Sequence, residues 1–200
     1  MSLGLDQHWK KSLINSLKTR KFSKSIDLAG GTGSIAKSLK DNEVVEEVYL
    51  VDLSSEMISV AKKNECADFY HEASAEQLPF ENEEFDLITC AYGLRNFSNP
   101  LKAIKEAHRV LKKGGILSFL ELTKPENLAS STLHALHCQA IPFLGKIVTK
   151  DYDSYNYLKK SIANFPSVEV ISKILEKEGF EIIKNKKHKF GCMEIIAQKV

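Results

Sequence analysis

Ile26-Asp27-Leu28-Ala29-Gly30-Gly31-Thr32-Gly33 is an apolar run that passes directly into a glycine-rich turn, and the helical pattern of Ser34–Leu39 follows it. Glycine lets the backbone adopt positive φ and approach a ligand closely, and a helix N-terminus attracts an anionic group. The next apolar run, Val48–Asp52, ends in a carboxylate that can accept hydrogen bonds from both hydroxyls of a ribose. Together these features predict a nucleotide-type cofactor site on an α/β fold.

The spacing within this stretch leaves two kinds of cofactor open. Gly31-x-Gly33-x-x-Ala36, with Asp52 downstream, fits the dinucleotide fingerprint and on its own permits an NAD(P)-dependent oxidoreductase. Asp27, however, lies just before the turn, where its charge would repel a pyrophosphate. S-adenosylmethionine offers a ribose, a carboxylate and an ammonium group. The charges of this stretch therefore favour S-adenosylmethionine over a dinucleotide.

Outward from the turn, short apolar runs alternate with stretches of helical period, which is typical of a doubly wound, mainly parallel sheet. The last third has a long helical pattern at Leu128–Val148, a helix at Val168–Gly179, and two runs, Phe180–Asn185 and Cys192–Gln198, that predict a closing antiparallel hairpin. The other expected strands are Ser25–Ala29, Val48–Asp52, Asp68–His71, Asp86–Ala91 and Ile116–Leu122, and the other expected helices are Ser34–Leu39, Ser54–Lys63 and Pro100–Leu111.

Composition excludes several classes of protein. The chain has 200 residues, 43% of them hydrophobic, which predicts one domain with a sizeable core. Lys and Arg number 28 against 26 Asp and Glu, and this near-balance argues against a nucleic-acid-binding protein. No apolar run is long enough to span a bilayer and no secretory signal is visible, so we expect a cytoplasmic protein. The cysteines lack the spacing of a zinc site, so no metal is expected; they are Cys66, Cys90, Cys138 and Cys192.

Further motifs follow the glycine turn in a fixed order. They are Glu76-Gln77-Leu78-Pro79-Phe80, Tyr92-Gly93-Leu94-Arg95-Asn96, Arg109–Gly115, Pro142–Gly145 and Ser154–Ile162. With them the chain resembles, over almost its whole length, the class I S-adenosylmethionine-dependent methyltransferases, and more narrowly the ubiquinone/menaquinone-biosynthesis C-methyltransferases of the UbiE type. The resemblance implies a single domain over residues 1–200. Its fold would be Rossmann-like, with a doubly wound, mainly parallel sheet of seven strands, a C-terminal antiparallel hairpin and a helical substrate-side insertion at 128–165.

The resemblance also implies a cofactor site. The glycine turn would wrap the methionine part of the cofactor, Asp52 would hold the ribose, and Met57 would pack against the adenine, with core filling an equal alternative for Met57. Relatives often have Asn or Asp where this chain has Ser74, and some have serine where it has Ala91. The expected cofactor-binding residues are Asp27, Gly30, Gly31, Thr32, Gly33, Asp52, Leu53, Met57, Ser74, Ala75 and Ala91.

The reaction implied is C-methylation of a prenylated quinol precursor, with S-adenosylhomocysteine as the second product. A ring carbon is a poor nucleophile unless a neighbouring hydroxyl loses its proton. Arg95, directly after the fourth strand, is the first candidate for stabilising the phenolate, because its charge would lower the pKa of the hydroxyl. A structural ion pair is the alternative for Arg95. Asn96 is expected to orient the hydroxyl.

The last third adds two candidate catalytic residues, Tyr155 and His137. His134 and His137 share a helical face with an apolar stripe, for which the alternatives are the protein core, a subunit contact in a homodimer, or a wall for the prenyl tail. Lys184–Lys189 is interpreted as a solvated turn between the last two strands. Contact of this segment with anionic lipid, and hence peripheral membrane binding, is the alternative.

The front of the chain departs from the family pattern. Ser2–Leu5 followed by Trp9-Lys10 matches a stretch that family members reach only after a few dozen residues, so the family's cover over the cofactor is expected to be missing. A methyltransferase-like protein that binds S-adenosylmethionine with low or no turnover, and a methyltransferase for another small molecule, therefore remain alternatives. The residues do not separate naphthoquinol from benzoquinol, nor do they identify the base.

Overall fold

The computed structural model describes residues 5–123, 157, 160–188 and 191–200. Within them, seven strands form one sheet in the order β3-β2-β1-β4-β5-β7-β6. The strands are β1 (Phe22–Leu28), β2 (Val45–Asp52), β3 (Phe69–Glu72), β4 (Phe85–Ala91), β5 (Leu111–Leu122), β6 (Phe180–His188) and β7 (Cys192–Lys199). Strands β1 to β5 pair in parallel, whereas β7 runs antiparallel to both β5 and β6. The predicted doubly wound sheet with a C-terminal hairpin is confirmed.

Helices cover both faces of the sheet, and each face has its own apolar core. They are α1 (Leu5–Leu17), α2 (Ser34–Asp41), α3 (Ser55–Lys63), α4 (Pro100–Val110) and α5 (Val168–Lys177). Helices α1, α2 and α3 pack on one face of the sheet through Trp9, Leu39 and Ile58, respectively. Helices α4 and α5 pack on the other face through Ile104 and Leu175, respectively. Burial on both faces explains why the central strands are almost continuously apolar.

Local signals in the sequence set where two of the helices begin. The side chain of Ser54 accepts a hydrogen bond from the Met57 N–H at 3.2 Å, which satisfies one of the free donors in the first turn of α3. The Asn99 side chain does the same for the Lys102 N–H at 3.1 Å, and Pro100 supplies the fixed φ suited to the first turn of α4. These caps start both helices at the ends of loops that leave the carboxyl edge of the sheet.

Two parts of the described chain differ from the prediction. Helix α1 was not predicted, yet it buries Trp9, Leu13, Ile14 and Leu17. The prediction of a turn at Lys184–Lys189 is wrong over Lys184–His188, because β6 extends through His188 and pairs with β7 as far as Cys192, whereas Lys189 lies outside the described residues. A strand forms there because its polar side chains meet charged partners: Lys184 pairs with Glu194 at 2.6 Å, and Lys187 pairs with Glu169.

Other predictions fall on residues outside the described ranges, among them the helix Leu128–Val148 and the candidates His137 and Tyr155. Among the described residues, Cys66, Cys90 and Cys192 are buried free thiols. The same residues include no cluster of three or more side chains suited to a metal ion. None of their helices is both long enough and apolar enough to cross a bilayer.

Candidate active site

The candidate site lies at the carboxyl edge of the sheet, where the strand order reverses. Strand β1 connects by way of α2 to β2 on one side, and its other neighbour is β4. In doubly wound sheets, a crevice for ligands opens outside the strand ends at such a switch point. The glycine loop after β1 and the Tyr92–Asn96 segment after β4 therefore lie at the same edge, as the sequence predicted.

Two glycines of the loop after β1 are required for different reasons. Gly33 has φ +85°, and a Cβ there would lie 1.8 Å from the Cys66 Sγ, so no larger residue fits without moving that thiol. Gly31 has φ +56°, but the space that its Cβ would occupy has no heavy atom within 4 Å. The loop is thus packed against the protein at Gly33 and open at Gly31, which is the shape expected of a cradle for a ligand.

Asp52 is fixed by backbone groups from two directions. Its Oδ2 accepts a hydrogen bond from the Gly31 N–H at 2.8 Å, and its Oδ1 accepts one from the Ser54 N–H at 2.9 Å. Each carboxylate oxygen has two lone pairs, so each can accept a further hydrogen bond from a hydroxyl. The carboxylate is held in one orientation beside the open side of the loop, as binding to a ribose requires.

An apolar surface adjoins Asp52. Leu53 is 72% exposed and Met57 is 43% exposed, so both offer apolar surface to a ligand beside Asp52. The loop after β3 reaches the same place, because the Ala73 N–H donates to the Asp52 carbonyl at 3.1 Å. Ser74 is half-buried and Ala75 is buried. A flat purine attached to a ribose at Asp52 would cover Leu53 and Met57, so these residues fit the adenosine part of the predicted cofactor.

Asp27 lies beneath the loop rather than in it. Its side chain is buried, with Oδ2 accepting from the Ala36 N–H at 3.0 Å and Oδ1 accepting from the Thr89 hydroxyl at 2.9 Å. Burial raises the pKa of Asp27 to about 6, although both hydrogen bonds oppose that rise. The carboxyl group therefore clamps the first turn of α2 to β1 and β4. Its expected contact with an ammonium group stays a prediction.

Arg95 is engaged by a buried acid. Residues Leu94–Asn96 form a single 3₁₀ turn after β4, and the Arg95 guanidinium pairs through Nη1 with Glu121, near the end of β5. The Arg95 backbone N–H also donates to Glu121 at 3.2 Å, and Nη1 donates to the Tyr92 carbonyl at 2.8 Å. Burial raises the pKa of Glu121 while the Arg95 charge opposes it. Much of the Arg95 charge is thus offset, and its action on a phenol stays a prediction.

Sequence reasoning did not identify Glu121 as part of the site. The available signals were an acid within the otherwise apolar run Ile116–Leu122 and the match of Leu120-Glu121 to the family pattern. Since Glu121 is 1% exposed, that acid requires a cationic partner, and Arg95 provides it.

Asn96 links the loop after β4 to the last third of the chain. Its Oδ1 accepts a hydrogen bond from the Tyr157 hydroxyl at 3.1 Å, and its Nδ2 donates to the Tyr92 carbonyl at 3.2 Å. Tyr157 belongs to the Ser154–Ile162 motif, so one residue of that motif lies beside Arg95 and Asn96. Tyr92 has φ +62° and a buried hydroxyl with no hydrogen-bond partner within the described residues, and burial raises the pKa of that hydroxyl.

A separate cavity of about 320 Å³ opens between the end of α1 and the β6–β7 hairpin. It is lined by Leu17, Arg20, Phe22, Ile183 and Ile196, among others. It includes none of the predicted site residues.

Comparison with known proteins agrees with this geometry. The chain matches the model of the ubiE/COQ5 methyltransferase family over residues 1–199. It is 40% identical to a demethylmenaquinone methyltransferase of Chlamydia pneumoniae, over 98% of this chain and 86% of that protein. It is 34% identical to the mitochondrial 2-methoxy-6-polyprenyl-1,4-benzoquinol methylase of Caenorhabditis elegans, over 98% of this chain and 71% of that protein.

A solved structure shows the same fold. The crystal structure of an S-adenosylmethionine-dependent methyltransferase from Aquifex aeolicus superposes with a TM-score of 0.67 and 17% sequence identity. The superposition covers 96% of this chain and 89% of that one. At this identity the likeness establishes the architecture of the sheet and its helices.

Proposed function

Because the chain belongs to the ubiE/COQ5 methyltransferase family, we propose that it methylates a ring carbon of a prenylated quinol precursor. The chain is an S-adenosylmethionine-dependent C-methyltransferase of menaquinone or ubiquinone biosynthesis. The observation that carries the assignment is Asp52, oriented by the Gly31 and Ser54 N–H groups beside exposed Leu53 and Met57.

The residues at the crevice supply binding and positioning. When bound, S-adenosylmethionine supplies a methyl group on a positively charged sulfur, which an in-line nucleophile accepts. Asp52 would hold the ribose, and the open side of the loop at Gly31 would receive the methionine part. Most of the rate gain in such a displacement comes from alignment and from exclusion of water.

At the substrate side, Arg95 and Asn96 would face the quinol. Arg95 would favour the ionised hydroxyl next to the reacting carbon, while Asn96, held between Tyr92 and Tyr157, would orient that hydroxyl. Arg95 is permanently charged and cannot take the proton, so a water molecule would carry it to solvent. Tyr155 and His137 remain further candidates for the quinol pocket.

A prenylated substrate resides in a membrane, so we include peripheral contact of a cytoplasmic enzyme with a bilayer in the proposal. The lysines of β6 do not support that contact, because Lys184 and Lys187 are paired with acids. The apolar stripe of residues 128–148 is the candidate surface, either for the membrane or for a second copy of the chain. Co-sedimentation with anionic vesicles and light scattering test the two separately.

The first test is calorimetric titration with S-adenosylhomocysteine, with NADH as the parallel ligand. We expect micromolar binding of S-adenosylhomocysteine and none of NADH. Asp52→Asn should weaken the binding at least tenfold, because a charged acceptor is lost. Asp41→Asn, at the exposed end of α2, is the matched control and should have no effect. Binding of NADH alone would overturn the proposal.

The second test addresses the substrate. Naphthoquinol and benzoquinol precursors are compared as methyl acceptors, each with wild type and Arg95→Ala. We expect turnover with one of them, and a fall of about a hundredfold or more in Arg95→Ala. Affinity for S-adenosylhomocysteine should be unchanged in that variant. Cofactor binding without methylation of either quinol would favour a binding protein or a different small-molecule substrate.

A further inference from the structure

Lys10 of α1 places a cation at the mouth of the glycine loop. Its Nζ donates a hydrogen bond to the Ser34 hydroxyl at 2.8 Å, and Ser34 is the first residue of α2, directly after Gly33. The same Nζ lies 5.9 Å from the centre of the Tyr92 ring, on the loop after β4. Lys10 therefore bridges the two loops that form the crevice, although it comes from an element that precedes both.

The position of Lys10 is fixed by its neighbours in α1. Trp9 and Leu13, on either side of Lys10, are 5% and 0% exposed and pack against α2 and the sheet. Lys10 itself is half-buried. A long cationic side chain is thus held by a helix that is anchored in the core, and not by a mobile surface segment.

The charge of Lys10 is available to an anion at this place. An ammonium group has three donors, and Ser34 takes one of them. The carboxylate of Asp6, one helical turn earlier, lies 3.9 Å from Nζ, at the limit of an ion pair and beyond hydrogen-bond distance. The N-terminus of α2 adds its own positive potential beside Ser34. The charge also acts on the interior, since Lys10 favours the ionised form of Asp27 beneath the loop.

We propose that Lys10 binds the carboxylate of the amino-acid part of the cofactor. This inference rests on the proposed function, because it presupposes that S-adenosylmethionine occupies the loop. The adenosine part lies by Asp52 and Leu53 at one end of the loop, so the amino-acid part extends toward the other end, where Ser34 begins α2. The Lys10 ammonium and the backbone at the start of α2 would there both donate hydrogen bonds to the carboxylate of the cofactor.

The test compares two ligands that differ in that carboxylate. S-adenosylhomocysteine carries the amino-acid group, whereas 5′-methylthioadenosine has the same adenosine and sulfur without it. In Lys10→Gln, we expect calorimetric affinity for S-adenosylhomocysteine to fall at least tenfold and affinity for 5′-methylthioadenosine to stay within twofold of wild type. Lys10→Arg, which keeps the charge, should recover part of the loss.

Lys11→Gln is the matched control, since Lys11 is the exposed neighbour on the same helix, and it should change neither affinity. An unchanged ratio of the two affinities in Lys10→Gln overturns the inference, whether both affinities fall together or neither falls. Failure of the wild type to bind either ligand would overturn the proposed cofactor itself, and the inference with it. The two failures are therefore distinguishable.

Discussion

The glycine loop and the β6–β7 hairpin each enclose a carboxylate, and the two carboxylates differ in the charge of their partners. Asp27, under the loop, accepts hydrogen bonds from a backbone N–H and a hydroxyl, both neutral. Glu194, on β7, is fully buried beneath α1. It accepts hydrogen bonds from Ser12 at 2.9 Å, Ser16 at 2.7 Å, Lys184 at 2.6 Å and His188 at 2.9 Å.

The difference in partners reverses the effect of burial. Burial raises the pKa of Asp27 to about 6, and its neutral donors do not compensate. Burial also opposes the charge of Glu194, but the hydrogen bonds from Lys184 and from the other donors outweigh it and hold that pKa at about 2. Ionisation of Asp27 therefore lowers the stability of the fold, whereas ionisation of Glu194 raises it. Glu194 lies in the corner that anchors α1 and so positions Lys10.

The strongest test of this comparison is Glu194→Gln. The change removes the buried charge that accepts hydrogen bonds from Lys184 and from neutral donors, and because hydrogen bonds to a charged group are the stronger kind, we expect a loss of about 3 kcal/mol. Urea unfolding at pH 7 measures the loss. Glu181→Gln, an exposed acid on β6, is the matched control and should cost less than about 0.5 kcal/mol. A loss under about 1 kcal/mol for Glu194→Gln would show that the ion pair contributes little.

Asp27→Asn probes the other carboxylate through its pH dependence. A pKa raised from 3.8 to about 6 contributes stability that is fully present below pH 3.8 and is lost as the pH rises through about 6. The loss amounts to about 3 kcal/mol. The asparagine keeps one acceptor, and its amide can donate to the Thr89 hydroxyl, which also lies near the Ile26 carbonyl.

The measurement is the free energy of unfolding of both proteins between pH 4 and pH 7. We expect the wild type to lose about 2.4 kcal/mol relative to Asp27→Asn over this range, because part of the full loss already falls below pH 4. Both proteins contain Glu194, so its own loss of stability, which begins near pH 4.5 as the pH falls, cancels in the difference. A difference that stays constant across the range would mean that Asp27 keeps its charge at no cost.

The smallest expected effect concerns a neutral donor to Glu194. Ser12→Ala removes one hydroxyl from the cluster while Lys184 remains, so we expect a loss of about 1 kcal/mol in urea unfolding. Ser38→Ala, at a half-buried serine of α2 whose hydroxyl donates within its own helix, controls for the change in helix propensity. If Ser12→Ala cost as much as Glu194→Gln, the hydroxyls and not the charges would hold α1 in place.

The sequence predicted the parts of the molecule in which local signals agree. The apolar run before Gly30, the turn itself and the acid at Asp52 indicate a strand, a tight loop and the next strand end, and the structure shows all three. The candidate cofactor-binding residues of this edge were therefore accessible from spacing, with the resemblance adding the candidates after β3 and β4.

The remainder depends on contacts between distant parts of the chain. The polar run Lys184–His188 has the composition of a turn, but pairing with β7 and the charge of Glu194 make it a strand. Arg95 and Glu121 are 26 positions apart, so no periodicity indicates their pairing. The face of α1 that includes Trp9 and Leu13 has helical spacing, but its role is visible only once α2 and the sheet lie against it.

The Cys66 thiol occupies the space that a side chain at position 33 would need, although the two positions are far apart in the sequence. Cys66 lies between α3 and β3, on a turn that would otherwise be free to vary as surface turns do. Because the thiol already fills that space, a larger residue at position 66 would push into the cofactor loop from behind. Any redesign of this turn is therefore also a redesign of the loop, and libraries that vary position 66 should be screened for cofactor affinity as well as for folding.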